Sequence, residues 1–156
     1  MPPVVVKKME RVHKRFVVKI GYESMATLTE RFYFRVMLLF NGVFNFSVAL
    51  CEDSVVGFIS TVDSLRDGLV VGNIAVASDY RRRGVASLLL ESVLLVYPAR
   101  QVTLQVRESN VAAQALYAKF GFEKTGVIEQ YYPNKGTRKK ESAVVMVLPI
   151  FFPCDR

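Results

Sequence analysis

The sequence predicts an α/β (α+β) fold in which a mixed, mostly antiparallel sheet of about seven strands carries about four helices on its faces. Segments with strand-like and helix-like periods follow each other in the order strand, two helices, three strands, helix, strand, helix, two strands. The chain has 156 residues, 51% of them hydrophobic, which is enough to bury a sizeable core. Helices between strands pack on the faces of a sheet. Because 156 residues fit one domain, we expect a single domain over residues 1–156.

The first 42 residues predict one strand and two helices. Val4, Val5 and Val6 indicate a short strand. The next apolar residues recur every four positions and predict one apolar face of a helix over about 9–22: Val12, Phe16 and Ile20. A second helix is predicted from about Thr29 to Leu39, capped by Thr27 or Thr29 and ended by Asn41-Gly42. The residues expected to face inward from it are Phe32, Val36, Leu39 and Phe40.

Three strands are predicted next. The segments "VFNFSVAL" and "VVGFISTV" flank the turn residues Asp53-Ser54 and are typical of an antiparallel pair. After the turn signal Arg66-Asp67-Gly68, "LVVGNIAVA" is apolar enough for a central strand. Gly72 within it predicts a bulge or a close backbone approach.

The second half predicts two helices and three strands. Gly84 to Tyr97 is apolar almost all round, so we expect a largely buried helix that ends at Pro98. "QVTLQVR" alternates, which predicts a strand with one polar face: Thr103, Gln105 and Arg107. Asn110 and Gly121 are typical of the start and the end of a further helix. Strands over about 125–132 and 142–148 complete the sheet.

Several function classes are disfavoured by composition. The apolar runs are shorter than a bilayer requires and the N-terminus lacks the order of a secretory signal, so we expect a cytoplasmic protein with no membrane partner. Cys51 and Cys154 are too few and too far apart for a disulfide framework or a zinc site. We therefore expect two free thiols, Cys51 in a strand and Cys154 in a loose end, and no metal.

The net charge of +7 leaves three partners open: nucleic acid, the ribosome or an anionic cofactor. A basic surface that only aids solubility is equally compatible. The basic run Lys135, Arg138, Lys139 and Lys140 permits a solvated hairpin tip, attraction of an acidic peptide or a tether to ribosomal RNA. We expect no sequence-specific nucleic-acid binding, because the chain lacks the interleaved aromatic and basic residues of common RNA modules. His13 is expected at the surface.

The stretch "DYRRRGVASLLL" places Arg81-x-x-Gly84-x-Ala86 between a strand and a buried helix. Unpaired N–H groups and the positive end of the helix dipole lie at such a helix start, and small residues let phosphates approach the backbone. The stretch lacks the G-x-G-x-x-G of a dinucleotide site and the Gly-Lys-Ser/Thr of a Walker loop. It therefore predicts a pyrophosphate site of another kind.

This motif, with "NIAVASDYRRRGVASLLLE", "LQVRESNVAAQALYAKFGFEKTG", "YYPN" and "AVVMVLPI", resembles the GCN5-related N-acetyltransferase (GNAT) superfamily, and within it the ribosomal-protein alanine N-acetyltransferases. "LTERFYFRVML" is similar to eukaryotic N-terminal acetyltransferases. The resemblance implies the GNAT fold with splayed fourth and fifth strands, acetyl-CoA as co-substrate and no metal. It implies acetyl transfer to the N-terminal α-amine of a protein or peptide by direct attack in a ternary complex. The alternatives are a small-amine acetyltransferase and a weakly catalytic, ribosome-associated acetyl-CoA-binding module.

The resemblance also implies the residues that hold the donor. The pantetheine arm would pair with backbone groups of Ile74, Ala75 and Val76, and Asn110 would hold it as well as cap a helix. The pyrophosphate would lie on a loop and helix start formed by Arg81, Arg82, Arg83, Gly84, Val85, Ala86 and Ser87.

For catalysis, the resemblance implies Tyr117 as the acid that protonates the leaving thiolate, and the Val76 N–H as the donor to the oxyanion. Gln105 occupies the position of the family's base, but glutamine cannot accept a proton. Three explanations compete: a water relay with Glu108 or Glu30 beyond it, an α-amine that needs no strong base, or feeble catalysis. We favour the second, because the pKa of an α-amine lies near 7.7–8.0 whereas that of lysine lies near 10.4.

The acceptor would lie between "GYESMATL" and "YYPNKGTRKK". Tyr131 and Tyr132 match the family's paired tyrosines that hold the peptide backbone, although a cross-strand aromatic pair explains them equally well. Leu28 stands where the family has a substrate-contacting tyrosine, so first-residue specificity does not carry over.

Overall fold

The protein is described by a computed structural model over residues 2–25, 27–40, 42–64, 68–96 and 101–149. The strands are β1 Val4–Lys8, β2 Phe44–Cys51, β3 Ser54–Ser64, β4 Gly68–Val76, β5 Val102–Arg107, β6 Glu123–Pro133 and β7 Lys140–Leu148. The helices are α1 Lys14–Ser24, α2 Leu28–Leu39, α3 Val85–Val96 and α4 Val111–Lys119, with 3₁₀ turns at Arg11–His13 and Ser78–Tyr80. The boundary residues Asn41, Arg66, Asp67 and Pro98, as well as Cys154, lie outside the described residues.

The seven strands form one sheet in the order β1-β2-β3-β4-β5-β7-β6. β4 and β5 run parallel, and every other neighbouring pair is antiparallel. The predicted mixed, mostly antiparallel sheet is therefore confirmed.

The splay of the fourth and fifth strands is also confirmed. β4 and β5 pair only from Leu69↔Val102 to Val71↔Leu104. Beyond that point β4 stays paired with β3 and β5 stays paired with β7. A wedge-shaped gap therefore opens in the middle of the sheet.

Gly72 marks the bulge that the sequence predicts. Ser60 pairs with Asn73 and Thr61 with Val71, so Gly72 is the extra residue of β4. The approach is close as well, since a Cβ on Gly72 would meet the Met37 Cε and the Ser60 Oγ at 3.2 Å. The bulge lies where β4 begins to leave β5, and bulges bend the strand that carries them.

The sheet buries a core on each face. One cluster joins α3 and α4 to the sheet through residues such as Leu89, Leu104 and Tyr117. The other joins α1 and α2 to the opposite face around Phe34, Phe46 and Phe58, whose rings lie 5.3–6.3 Å apart. The alternation predicted for β5 is confirmed, because Val102, Leu104 and Val106 lie in the first cluster.

The inward faces predicted for the first two helices are wrong except at Ile20, which is buried. Val12 is 68% exposed, whereas Val17, Ile20 and Gly21 are the buried residues of α1. A 3₁₀ turn precedes α1 and changes the phase, and Gly21 lets Phe34 approach so closely that a Cβ there would lie 2.5 Å from the ring.

In α2 the core takes Phe34 and Leu38, with Val36 only half-buried. The inward residues expected for α2 are exposed at Phe32, Leu39 and Phe40. Because "RFYFRVML" is apolar on several sides, its period does not select a face.

His13, expected at the surface, is only 8% exposed. Its Nδ1 accepts a hydrogen bond from the Glu10 N–H at 3.0 Å, which satisfies the ring at the start of the helical segment.

The predicted caps are confirmed where the structure describes them. Thr27 and Glu30 form a capping box at the start of α2, and the Asn110 side chain accepts from the Ala113 N–H at 3.2 Å. Gly121 has φ +88°, the left-handed conformation expected after α4. Cys51 is a buried free thiol at the end of β2.

Candidate active site

The gap between β4 and β5 is a cleft of about 530 Å³. Its walls are the end of β4, the loop that follows, and the starts of α3 and α4. Ala112, Ala115 and Leu116 leave the α4 wall smooth and apolar. We call this space the donor cleft.

The β4 edge offers backbone groups to the donor cleft. The Ala77 N–H donates to the Val56 carbonyl on the β3 side at 2.9 Å. Because backbone groups alternate along a strand, those of Ala75 also point to β3 whereas those of Ile74 and Val76 point into the gap. The Val76 carbonyl accepts from the Arg81 Nε at 3.1 Å. The Val76 N–H lies on the same side of the strand and is directed into the cleft.

The loop after β4 has the conformation of an anion site. Arg82 and Gly84 both take left-handed backbone angles, φ +60° and +81°. The first helical bond of α3 runs from the Leu88 N–H to the Gly84 carbonyl, so the amides of Val85, Ala86 and Ser87 have no partner within the helix. A Cβ on Gly84 would meet nothing within 4 Å, so its φ rather than its neighbours requires glycine. These features fit a pyrophosphate.

The three arginines of the loop differ. Arg81 and Arg82 line the donor cleft, as do Gly84, Val85, Ala86 and Ser87. Arg83 lies with its guanidinium 5.6 Å from the Tyr80 ring centroid and does not line it. Direct contact between Arg83 and a phosphate stays a prediction.

Tyr117 lies at the bottom of the donor cleft on α4 and is 5% exposed. Its ring packs 5.8 Å from that of Phe122. Burial raises the pKa of Tyr117 to about 12. The hydroxyl therefore stays protonated at neutral pH and can donate to an anion.

Asn110 does not line the donor cleft. Its side-chain oxygen caps α4, and the role in holding pantetheine stays a prediction.

A second cavity of about 620 Å³ lies on the other side of β4, between α2 and the hairpin of β6 and β7. Its lining is Met25, Thr29, Glu30, Tyr33, Phe34, Met37, Asn73, Tyr131, Tyr132, Pro133 and Lys140. We call it the acceptor cavity. Asn73 borders it and the next residue, Ile74, borders the donor cleft, so the two spaces meet along β4.

The two tyrosines of β6 both reach Gln105 on β5. The Tyr132 hydroxyl donates to the Gln105 carbonyl at 3.0 Å, and the Tyr131 hydroxyl donates to the Gln105 Oε1 at 3.4 Å. Adjacent side chains of a regular strand point to opposite faces. Here a bulge between Ile128 and Tyr132, with Gln130 at φ +52°, breaks that alternation. Burial is the main cause that raises the pKa of Tyr132.

Arg107 joins the walls of the acceptor cavity. Its Nη2 pairs with Glu30 of α2, and its Nη1 pairs with Glu141 of β7 at 3.0 Å. It also donates to the Pro133 carbonyl at 3.1 Å and the Asn134 Oδ1 at 3.2 Å. Its guanidinium lies 4.5 Å from the centre of the Tyr132 ring. One side chain therefore fixes the hairpin against α2.

Several residues of the acceptor cavity are missing from the sequence prediction. Leu28, predicted to contact substrate, is 81% exposed and does not line the cavity. Met25, Tyr33, Met37 and Asn73 line it instead. The polar face of β5 pointed to Arg107, but nothing local in the sequence pairs it with Glu30 and Glu141, 77 and 34 residues away.

The described segments show neither a metal-binding cluster nor a membrane-spanning helix. Within them, no group of three or more His, Cys, Asp or Glu side chains is placed to hold a metal ion. No helix there combines the length and the apolar character that a bilayer crossing requires.

Comparison with known proteins identifies the family. Residues 42–124 match the family model described as Acetyltransferase (GNAT) domain. The N-alpha-acetyltransferase of Saccharolobus solfataricus is 37% identical over 152 residues, covering 86% of each chain. The bS18-alanine N-acetyltransferase of Salmonella typhimurium is 35% identical over 107 residues, 67% of this chain and 71% of that protein.

Solved structures agree with this assignment. The crystal structure of the ribosomal-protein-S18-alanine N-acetyltransferase from Escherichia coli matches with a TM-score of 0.77 and 28% identity, over 96% of both chains. With a cleft suited to a pyrophosphate and a family match over more than half its length, the chain belongs to the GNAT family and is an acetyl-CoA-dependent N-acetyltransferase.

Proposed function

We propose that this protein transfers the acetyl group of acetyl-CoA to the N-terminal α-amine of a protein or peptide. The observation that carries the proposal is the meeting of the donor cleft and the acceptor cavity along β4, beside a tyrosine pair that can hold a peptide backbone. The names of the relatives, an N-alpha-acetyltransferase and a bS18-alanine N-acetyltransferase, support it. A cavity open to the outside with two hydroxyls at its wall suits a peptide better than a small amine.

In the proposed reaction the neutral amine attacks the thioester carbonyl directly. A C–N bond forms, and the negative charge on the carbonyl oxygen is stabilised by the Val76 N–H. The C–S bond then breaks, coenzyme A leaves as a thiolate and the nitrogen loses its proton to solvent. Tyr117 donates to the thiolate sulfur from the bottom of the cleft, where burial keeps its hydroxyl protonated.

No strong base stands beside the amine in this proposal. Gln105 accepts from Tyr131, and both oxygens of Glu30 already accept, one from Arg107 and one from Thr27. Glu108 is exposed and does not line the acceptor cavity. We therefore propose that the site uses amines that are partly neutral at pH 7, which favours α-amines over lysine side chains.

The experiment is coenzyme A release with peptides that vary in their first two residues. Each peptide is also offered with a blocked N-terminus and an internal lysine. We expect turnover only with the free α-amine. Clear acetylation of the lysine in the blocked peptides, without N-terminal activity, would overturn the proposal.

A weakly catalytic acetyl-CoA-binding module is the second candidate, and the Gln105 at the base position favours it. The two candidates separate at Tyr117→Phe, because only an enzyme loses turnover while it keeps the cofactor. We also propose a cytoplasmic location and proximity to the ribosome, where new protein N-termini emerge. The bS18-directed names of the relatives support the second point.

A further inference from the structure

Most of the net positive charge of this protein comes from one short segment, which includes the end of β1 and the start of α1. Residues 7–19 contain six Lys or Arg and a single acidic residue, Glu10. The whole chain has 21 basic and 14 acidic residues, so the other 143 positions hold 15 basic and 13 acidic ones. The basic side chains are Lys7, Lys8, Arg11, Lys14, Arg15 and Lys19, and we call this set the β1–α1 basic surface.

These charges oppose the stability of the helix that carries them. Lys14 and Arg15 occupy the first turn of α1, where the helix dipole favours acidic residues, and that turn has none. Arg11, Arg15 and Lys19 follow at four-residue spacing, so like charges lie one above the other. Residues that break a local rule of stability without internal compensation are expected at functional sites.

The basic side chains are directed to solvent. All are exposed except Lys14, which is half-buried. Within the described segments, Lys7 of this surface forms an ion pair with Glu10 at 3.0 Å. The cations that are exposed and outside this ion pair are Lys8, Arg11, Arg15 and Lys19.

A cavity lies within the same surface. It measures about 470 Å³ between the end of β1 and the start of α1. Lys8, Arg11 and Lys14 line it together with Glu10, Phe44, Asn45 and the buried Phe46. Clustered cations of this kind bind the phosphates of a nucleic acid regardless of its sequence.

We propose that the β1–α1 basic surface binds the sugar-phosphate backbone of a nucleic acid without reading its sequence. A lipid surface fits less well, because Val17 and Ile20 of α1 are buried in the core and leave little apolar surface to insert. Val12 and Phe16 are the exposed apolar residues of this segment, and Arg15 stacks 4.6 Å above the Phe16 ring. The 11-residue α1, about 16 Å long, leads from the basic residues of its first turn to Met25 at the acceptor cavity.

The test measures binding of the full chain to a labelled single-stranded RNA of about 20 nucleotides, its duplex and the corresponding DNAs, over a range of salt. The variant Arg11→Gln/Lys14→Gln/Arg15→Gln removes three cations from the surface. The matched control, Lys135→Gln/Arg138→Gln/Lys139→Gln, removes three exposed cations from the β6–β7 hairpin. A milder variant, Lys7→Gln/Lys8→Gln, changes only the end of β1.

We expect the triple variant to lose about 30-fold or more in affinity near 0.1 M salt and to lower the salt slope by about 2. The double variant should follow in the same direction, and the hairpin control should change far less. The two RNA arms and the two DNA arms tell which nucleic acid is preferred. Acetyl transfer to a free peptide should stay unchanged in the two variants of the β1–α1 basic surface, which separates this test from that of the acetyl transfer.

Three results would overturn the proposal. The first is no binding of the wild type to any of the nucleic acids at low salt. The second is an equal loss in the hairpin control, which would assign the effect to bulk charge. The third is tighter binding to anionic vesicles or to polyglutamate than to nucleic acid of equal charge.

Discussion

The donor cleft and the acceptor cavity meet along β4, but they are built in different ways. The donor cleft takes its chemistry from backbone groups within residues 74–87: a strand edge, two left-handed residues and the free amides of a helix start. The acceptor cavity takes its chemistry from side chains on α2, β4, β5, β6 and β7, which Arg107 holds together. A ligand common to the whole family can be bound by a short backbone motif, whereas the choice of acceptor depends on contacts distant in sequence.

Tyr117→Phe should have the largest effect, because its hydroxyl serves the point where the two sites meet. We expect kcat to fall about 10²–10³-fold, the range of a lost general acid. The ring still packs on Phe122, so the KM for acetyl-CoA should not change. Steady-state kinetics with both substrates checks this. A loss confined to the KM for acetyl-CoA would contradict the catalytic role.

Arg107→Ala tests whether the acceptor cavity depends on one side chain. It leaves Glu30 and Glu141 without their cation and should cost about 2 kcal/mol of unfolding free energy, a figure reduced because the side chain is 22% exposed. We also expect the specificity constant for the peptide to fall, because the hairpin is no longer held against α2.

The control for this variant is Arg107→Lys, which keeps the charge but loses the bidentate geometry. Arg107→Lys should restore part of the unfolding free energy, but its KM for the peptide should stay nearly as high as that of Arg107→Ala. The KM for acetyl-CoA should be unaffected in both variants. An equal rise in both Michaelis constants would mean that the two sites are not independent.

Gly84→Ala is the corresponding change in the donor cleft. Alanine at φ +81° costs about 1–2 kcal/mol, with no steric clash to add to it. We expect the KM for acetyl-CoA to rise about tenfold while the peptide KM stays constant. Gly126→Ala is the control, since that position also has open space and no positive φ.

The pH profile tests the two protonation states that the sites require. Peptide turnover should rise with pH up to about 8, as the α-amine loses its proton. Burial raises the pKa of Tyr117 to about 12, so turnover should not fall through deprotonation of this tyrosine below about pH 10. The pKa of the Tyr117 phenol is about 12 in the folded chain and near 10 in the unfolded one. Its contribution to the free energy of unfolding is therefore fully present below pH 10 and is lost as the pH rises towards 12. Tyr117→Phe should remove that part of the alkaline destabilisation in chemical unfolding.

The sequence predicted most of the residues that line the donor cleft, because its signals are local, whereas donor contacts of Arg83 and Asn110 stay predictions. The Arg81-x-x-Gly84-x-Ala86 spacing, the Gly72 bulge and the Asn110 cap each depend on a few adjacent residues. It was insufficient for the faces of α1 and α2, where apolar residues on several sides make the period ambiguous and the contact of Gly21 with Phe34 decides. The sequence was also insufficient for the acceptor cavity. The bulge that turns both tyrosines to Gln105 has Gln130, not a glycine, at its positive φ, so no local residue signal predicts it.

Gln105→Glu should have the smallest effect and bears most directly on the acceptor site. The glutamate can still accept from Tyr131, so the tyrosine pair stays in place and a carboxylate now stands beside the amine. If an α-amine needs no strong base, the specificity constant for N-terminal peptides should change by less than about fivefold, because the amine is already partly neutral at pH 7. Gln105→Ala, which removes the contact with Tyr131, should instead raise the peptide KM. A gain of about 100-fold in Gln105→Glu would mean that the missing base limits this enzyme. The acceptor site would then lack a base that its reaction needs.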